Sequence, residues 1–193
     1  MQNLLNVDNH SFRADLLTKG LVLDAGARGF VFAKWFAERG HEVIALDPSP
    51  DVIDPPKFIS HVPAALVSSK CKDNMYLELG PDPNAWYIHG GKGMESVPVK
   101  TLTIADLKVA KWDLIKLNIE GSEYDILDEI EGPIARQIVF SFHEHTSRAR
   151  GREECDRIID KLAKWYHVCN RVWEKRYGCR ENYWDCLLVE RGI

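Results

Sequence analysis

Leu21-Val22-Leu23-Asp24-Ala25-Gly26-Ala27-Arg28-Gly29, followed by Phe30 to Arg39 and then by His41-Glu42-Val43-Ile44-Ala45-Leu46-Asp47, is a strand, a glycine-bearing turn, a helix and a second strand in succession. Leu21 to Asp24 is a short apolar run of the kind that a buried parallel strand leaves in a sequence. Phe30 to Arg39 places Lys34 and Glu38 on the exposed side of a helix, and Gly40 ends it. The strand that follows stops at Pro48-Ser49-Pro50, because proline brings no amide to a ladder. One βαβ unit is complete, and it predicts an α/β fold of the doubly wound, Rossmann-like kind.

The segments on the C-terminal side extend the same alternation. Phe58 to Val62, the stretch near Ala65 to Ser68 and Met75 to Leu79 read as short strands, and Gly80 to Gly93, rich in glycine and proline, reads as a loop. Thr103-Ile104-Ala105-Asp106 has the form of a capping box opening a brief helix. Trp112 to Ile119 reads as a strand, Ser122-Glu123-Tyr124-Asp125 opens a helix ending near Ile130, and Gln137 to Phe142 is the next strand. From Gly151 to Tyr166 the apolar residues Cys155, Ile158, Ile159, Leu162, Trp165 and Tyr166 recur at helical spacing. Val168 to Trp173 and Tyr183 to Val189, separated by Arg176-Tyr177-Gly178, predict a closing antiparallel hairpin. Trp112, Trp165, Trp173 and Trp184 read as core residues. The expectation is one domain over residues 1–193, with 1–20 as a lead-in and 21–193 as an α/β core whose sheet is mostly parallel.

Composition narrows the function classes. The 193 residues are 45% hydrophobic and 28% charged, which fits an ordinary globular chain rather than a disordered or fibrous one. A formal charge of −4 argues against general attraction to nucleic acid. Ten Lys/Arg against five Asp/Glu between Thr146 and Arg180 make that segment locally basic, a bias that a solvated helix face explains better than an anionic substrate. No apolar run reaches signal-peptide or membrane-span length, so the expectation is a cytoplasmic protein with no membrane partner. Cys71, Cys155, Cys169, Cys179 and Cys186 contain no C-x-x-C pair, which predicts reduced thiols rather than zinc or disulfides. Oligomeric state is not legible.

In an open α/β sheet, ligands bind outside the carboxyl ends of the strands. Asp24, Gly26, Ala27 and Arg28 fall at the first such end, where glycine lets the backbone approach a ligand closely. Asp47 falls at the next, 23 residues beyond Asp24, where a carboxylate can accept both hydroxyls of a ribose. Together they point to a nucleoside-containing cofactor. The turn lacks the full G-x-G-x-x-G that approaches a pyrophosphate, and Asp24 would repel one. The same acid suits the ammonium of a methionine moiety, which favours S-adenosyl-L-methionine over a nicotinamide dinucleotide.

Val22 to Gly29, Ala45-Leu46-Asp47-Pro48 and Ile115-Lys116-Leu117-Asn118-Ile119-Glu120-Gly121-Ser122-Glu123 resemble the FkbM-type methyltransferases. The third segment is the most specific, matching that family's pattern at Lys116, Glu120, Gly121 and Glu123, with Asn118 where the family usually has aspartate. The resemblance spans about Leu21 to His145. It implies a seven-stranded class I methyltransferase fold, cofactor residues from the first two strand ends, and Ala64-Ala65-Leu66 near the adenine. It also implies O-methylation of a small molecule or glycan hydroxyl. On this reading the cofactor residues are Asp24, Gly26, Ala27, Arg28, Asp47, Ala65 and Asn118.

An acceptor hydroxyl must lose its proton, and the candidates at the correct sheet edge are Glu120, His143, Glu144 and His145. His143 leads, since imidazole titrates near neutrality, with Glu120 and His145 beside it. His143, His145 and Glu120 could also form a divalent-metal site, but capping hydrogen bonds are the favoured reading of the histidines. Glu120 is read evenly as a helix cap or a catalytic residue that takes the acceptor's proton, and Lys116 as snorkelling or ion-paired. The acceptor pocket is expected in Gly80 to Gly93 and His145 to Gly151. The alternatives are a nicotinamide-dependent oxidoreductase, which the incomplete glycine pattern disfavours, and a non-catalytic binding module, which Asn118 would motivate.

Overall fold

The computed structural model describes residues 4–50, 55–72, 75–79, 87–91, 96–143, 150–175 and 181–193. Its strands are β1 (Leu4–Val7), β2 (His10–Arg13), β3 (Leu21–Ala25), β4 (Glu42–Leu46), β5 (Ser60–Val62), β6 (Ala65–Leu66), β7 (Met75–Glu78), β8 (Tyr87–Gly90), β9 (Ser96–Pro98), β10 (Thr101–Leu102), β11 (Trp112–Leu117), β12 (Ala135–Phe140), β13 (Tyr166–Lys175) and β14 (Glu181–Glu190). The helices are α1 (Val31–Ala37), α2 (Glu123–Glu129) and α3 (Gly151–Leu162).

Seven strands form the central sheet in the order β13-β14-β12-β11-β3-β4-β5. The neighbours from β12 to β5 are parallel, and β14 runs antiparallel to both β12 and β13. Numbered by their order in the chain, these strands lie 6-7-5-4-1-2-3, the arrangement of the class I methyltransferase sheet. The expected closing hairpin is present as β13 and β14; its turn residues, Arg176-Tyr177-Gly178, lie outside the described residues.

Alternation along the strands sorts apolar side chains onto two faces. Leu23, Ile115, Ile138 and Leu188 pack with Tyr124 and Leu127 of α2 and Ile158, Ile159 and Leu162 of α3. Their sequence neighbours Val22, Leu114, Val139 and Leu187 pack with Phe32, Ala33 and Phe36 of α1 and with Phe12. Each buried phenylalanine contributes roughly 1.5–3 kcal/mol by leaving water.

Phe12 belongs to a segment that the sequence gives only as a lead-in. Residues 4–13 fold into the β1-β2 hairpin, with Asp8 and Asn9 both at positive φ in its two-residue turn. The hairpin docks on the sheet through polar ties as well as through Phe12. Gln137 accepts from the Arg13 amide at 2.8 Å and donates to the Arg13 carbonyl at 2.9 Å, and Ser11 donates from its amide and its hydroxyl to Asp185.

Three further boundaries differ from the sequence reading. Gly80 to Gly93 is not all loop, because Tyr87–Gly90 forms β8 and pairs with β7, which also pairs with β9 in a small three-stranded sheet. Helix α1 is shorter than Phe30 to Arg39, since Phe30 stands left-handed at φ 54° in front of it; Gly40, at φ 84°, follows its end as expected. Helix α3 stops at Leu162, and Tyr166 begins β13, where its hydroxyl accepts from the amides of Ile134 and Ala135 at 3.0 and 3.3 Å. The capping box forms as read, with Asp106 accepting from Thr103 and the Thr103 hydroxyl accepting from the Asp106 amide.

Candidate active site

The chain leaves β3 toward β4 on one side, while β11, its other neighbour, leads to β12 on the opposite side. Such a switch opens a crevice at the carboxyl ends of the two strands. A cleft of about 320 Å³ lies there, within the size range of small-molecule sites. Asp24, Gly26, Ala27, Arg28, Asp47, Ala65, Asn118 and Glu120 all line it, so every expected cofactor residue and one expected catalytic residue meet in one place. Leu77 of β7 and Ile88 of β8 add apolar wall beside Ala65, bringing the small sheet to the cleft.

The wall after β3 is built around a buried ion pair. Parallel register sets Asp24 beside Lys116, and both side chains are 1% exposed. Lys116 Nζ lies 2.9 Å from Asp24 Oδ1 and donates to the Gly26 carbonyl at 2.8 Å, while the Ala33 amide donates to Asp24 Oδ2 at 3.1 Å. Asp24 Oδ1 has ionic contact with Lys116 but no aligned hydrogen bond, so it keeps acceptor capacity at the cleft. Gly26 is at φ 80°, and a Cβ there would sit 1.9 Å from the Asn118 carbonyl oxygen, so only glycine fits. At the end of β4, the buried Asp47 accepts from the Ser49 amide at 2.9 Å through Oδ1.

The wall after β11 is organised by Glu123, the first residue of α2. Its fully buried carboxylate accepts from the Ile119 amide at 2.7 Å through Oε1 and from the Gly121 amide at 2.8 Å through Oε2. Oε1 also lies 2.8 Å from His143 Nδ1, and His143 Nε2 is 3.5 Å from Glu120 Oε1. Burial works against the charged imidazole and Lys116 opposes it further, but Glu123 and Glu120 outweigh both and raise the His143 pKa to about 9. The raised pKa favours the imidazolium form of His143 between the two carboxylates.

His145 and Glu144 lie outside the described residues, as does most of the expected acceptor-pocket sequence. Among the described residues, no cluster of three or more His, Cys, Asp or Glu side chains is arranged to hold a metal ion. Cys169 and Cys186 are free thiols. Among the described residues, no helix is long and apolar enough to cross a membrane. Sequence reasoning assigned Glu123 no role at the site, although it stood in the quoted segment; Leu77 and Ile88 were missed because nothing in the sequence brings them to β6.

Sheet order, switch point and cleft together define a class I methyltransferase. The model of the methyltransferase FkbM domain matches residues 24–172, and the chain belongs to that family of S-adenosylmethionine-dependent methyltransferases. The match sets aside the nicotinamide alternative and makes the protein an enzyme rather than a bare binding module. No curated protein matches the chain. Among solved structures it is similar to a TehB-like SAM-dependent methyltransferase from Corynebacterium glutamicum (12% identity, 89% of this chain and 80% of that one, TM-score 0.44). It is also similar to the 1,6-didemethyltoxoflavin-N1-methyltransferase of Burkholderia thailandensis (16%, 88% and 70%, 0.44) and to the magnesium protoporphyrin IX methyltransferase of Synechocystis (13%, 88% and 69%, 0.43). These likenesses are distant, and the family assignment stands on the sequence match.

Proposed function

We propose that the cleft binds S-adenosylmethionine and that the enzyme methylates a hydroxyl of a small molecule or glycan. The observation that carries the reading is the convergence of Asp24, Gly26, Asp47 and Asn118 on one cleft at the switch point. Asp47 has a carboxylate oxygen beyond the one that serves Ser49, which suits ribose hydroxyls. Asp24 Oδ1 suits an ammonium, and the apolar surface of Ala65, Leu77 and Ile88 suits a flat base. Gly26, Ala27 and Arg28 border the same space.

The bound cofactor supplies an electrophilic methyl carbon on a sulfonium sulfur. The protein's part is alignment, exclusion of water and care of one proton. Glu120 is the group we assign to the acceptor side: its carboxylate orients the acceptor hydroxyl and takes its proton as the oxygen–carbon bond forms. His143, already protonated, supports Glu120 rather than acting as the base itself.

Calorimetric titration with S-adenosylhomocysteine tests the reading, with NAD as the contrast. Binding of the first and none of the second is expected, and Asp47→Ala should weaken S-adenosylhomocysteine by about 1–3 kcal/mol through loss of a charged hydrogen bond. An unchanged affinity in that variant would remove the ribose assignment.

A further inference from the structure

The inference rests on the methyltransferase reading and deepens it, and it concerns a side chain that the proposed reaction does not touch. Glu120 is held at φ 55°, the left-handed region, and Gly121 follows at φ 98°. A non-glycine residue in that region is strained and persists only where its surroundings impose it. Here they do so from three directions. The amides on either side of Glu120, those of Ile119 and Gly121, both donate to Glu123, and His143, 2.8 Å from the same carboxylate, reaches Glu120 Oε1 at 3.5 Å.

A simple helix cap would accept from the first amides of its own helix. Glu123 instead serves two amides that precede α2 on the cleft wall, and an imidazole that follows β12. We propose that Glu123 is a positioning residue for methyl transfer, fixing the backbone of Glu120 directly and its carboxylate through His143. His143 is faced by Glu123 from α2, by Glu120 from the loop after β11 and by Lys116 from β11 itself. The geometry therefore links three things: the set of the cleft wall, the proton on His143 and the charge on Glu123.

The test uses the full chain and Glu123→Gln, which keeps size and removes charge. Histidine NMR should show His143 in the wild type losing its proton near pH 9, and in the variant at a pH lower by a unit or more. Titration with S-adenosylhomocysteine should show about tenfold weaker binding by the variant near neutrality, the loss expected when hydrogen bonds to a charged group are removed. Wild-type affinity should hold through neutrality and weaken as His143 deprotonates, with the weakening moved to lower pH in the variant. An unmoved His143 titration, or a binding curve superimposed on the wild type at every pH, would overturn the proposal. If Glu123→Gln does not fold, His143→Gln carries the test: its affinity should lose the alkaline weakening, and keeping it overturns the proposal. Should the wild type fail to bind S-adenosylhomocysteine, the cofactor reading falls, while the His143 titration still decides the role of Glu123.

Discussion

The two walls of the cleft solve one problem with different counterions. After β3, a buried acid is held by Lys116, whose ammonium also anchors the Gly26 carbonyl. After β11, a buried acid is held by His143 and by two backbone amides. The second of these cations is an imidazolium, whose pKa its two carboxylates raise to about 9. The second wall is set only while His143 carries its proton. The wall that carries Glu120, assigned to the acceptor, also carries Asn118 of the proposed cofactor set, so a change at His143 reaches both sides of the reaction.

That contrast can be broken most severely at Gly26, where the walls touch. Gly26→Ala puts a methyl group against the Asn118 carbonyl at a positive φ, and a loss of about 4 kcal/mol or more is expected in chemical denaturation, with S-adenosylhomocysteine binding abolished. Lys116→Met tests the first wall, with a smaller effect on His143, which Lys116 also faces. It leaves Asp24 buried without its cation, which should destabilise by about 3–5 kcal/mol, read as a shift in urea midpoint.

The second wall gives the smallest and most diagnostic effect. The His143 pKa is raised from 6.5 to about 9 on folding, so its stabilisation is fully present below pH 6.5 and is lost as pH rises through about 9. Each unit of that rise is worth about 1.4 kcal/mol. Urea midpoints of the wild type should therefore fall over this window relative to those of His143→Gln, and parallel curves would show that the two walls do not differ in this respect.

Much of this architecture is legible in the sequence because it rests on local patterns. The strand, glycine turn, helix and strand from Leu21 to Asp47 stand where apolar period and punctuation put them, and Asp24 and Asp47 reach the cleft because strand ends are readable. Strand β8 was not readable, since Tyr87–Gly90 lies in a stretch whose glycine and proline content outweighs four residues of strand. Helix α3 was read too long because Trp165 and Tyr166 continue its apolar spacing while belonging to the next turn and strand. The partnerships of Asp24 with Lys116 and of Glu123 with His143 depend on which strands become neighbours, and no local signal carries that. Strand identity was visible; counterion identity was not.

The hairpin at residues 4–13 has a consequence for how the molecule is made. Ser11 and Asp185 are joined across almost the whole length of the chain, and Phe12 shares a cluster with Leu187. Contacts so distant in sequence form slowly, and during synthesis β14 emerges well after the hairpin that it holds. Until β14 arrives, the hairpin has Phe32 and Phe36 of α1 against which to pack Phe12, but not the Asp185 carboxylate that holds Ser11. The hairpin thus works like a clasp whose catch is delivered long after its first half.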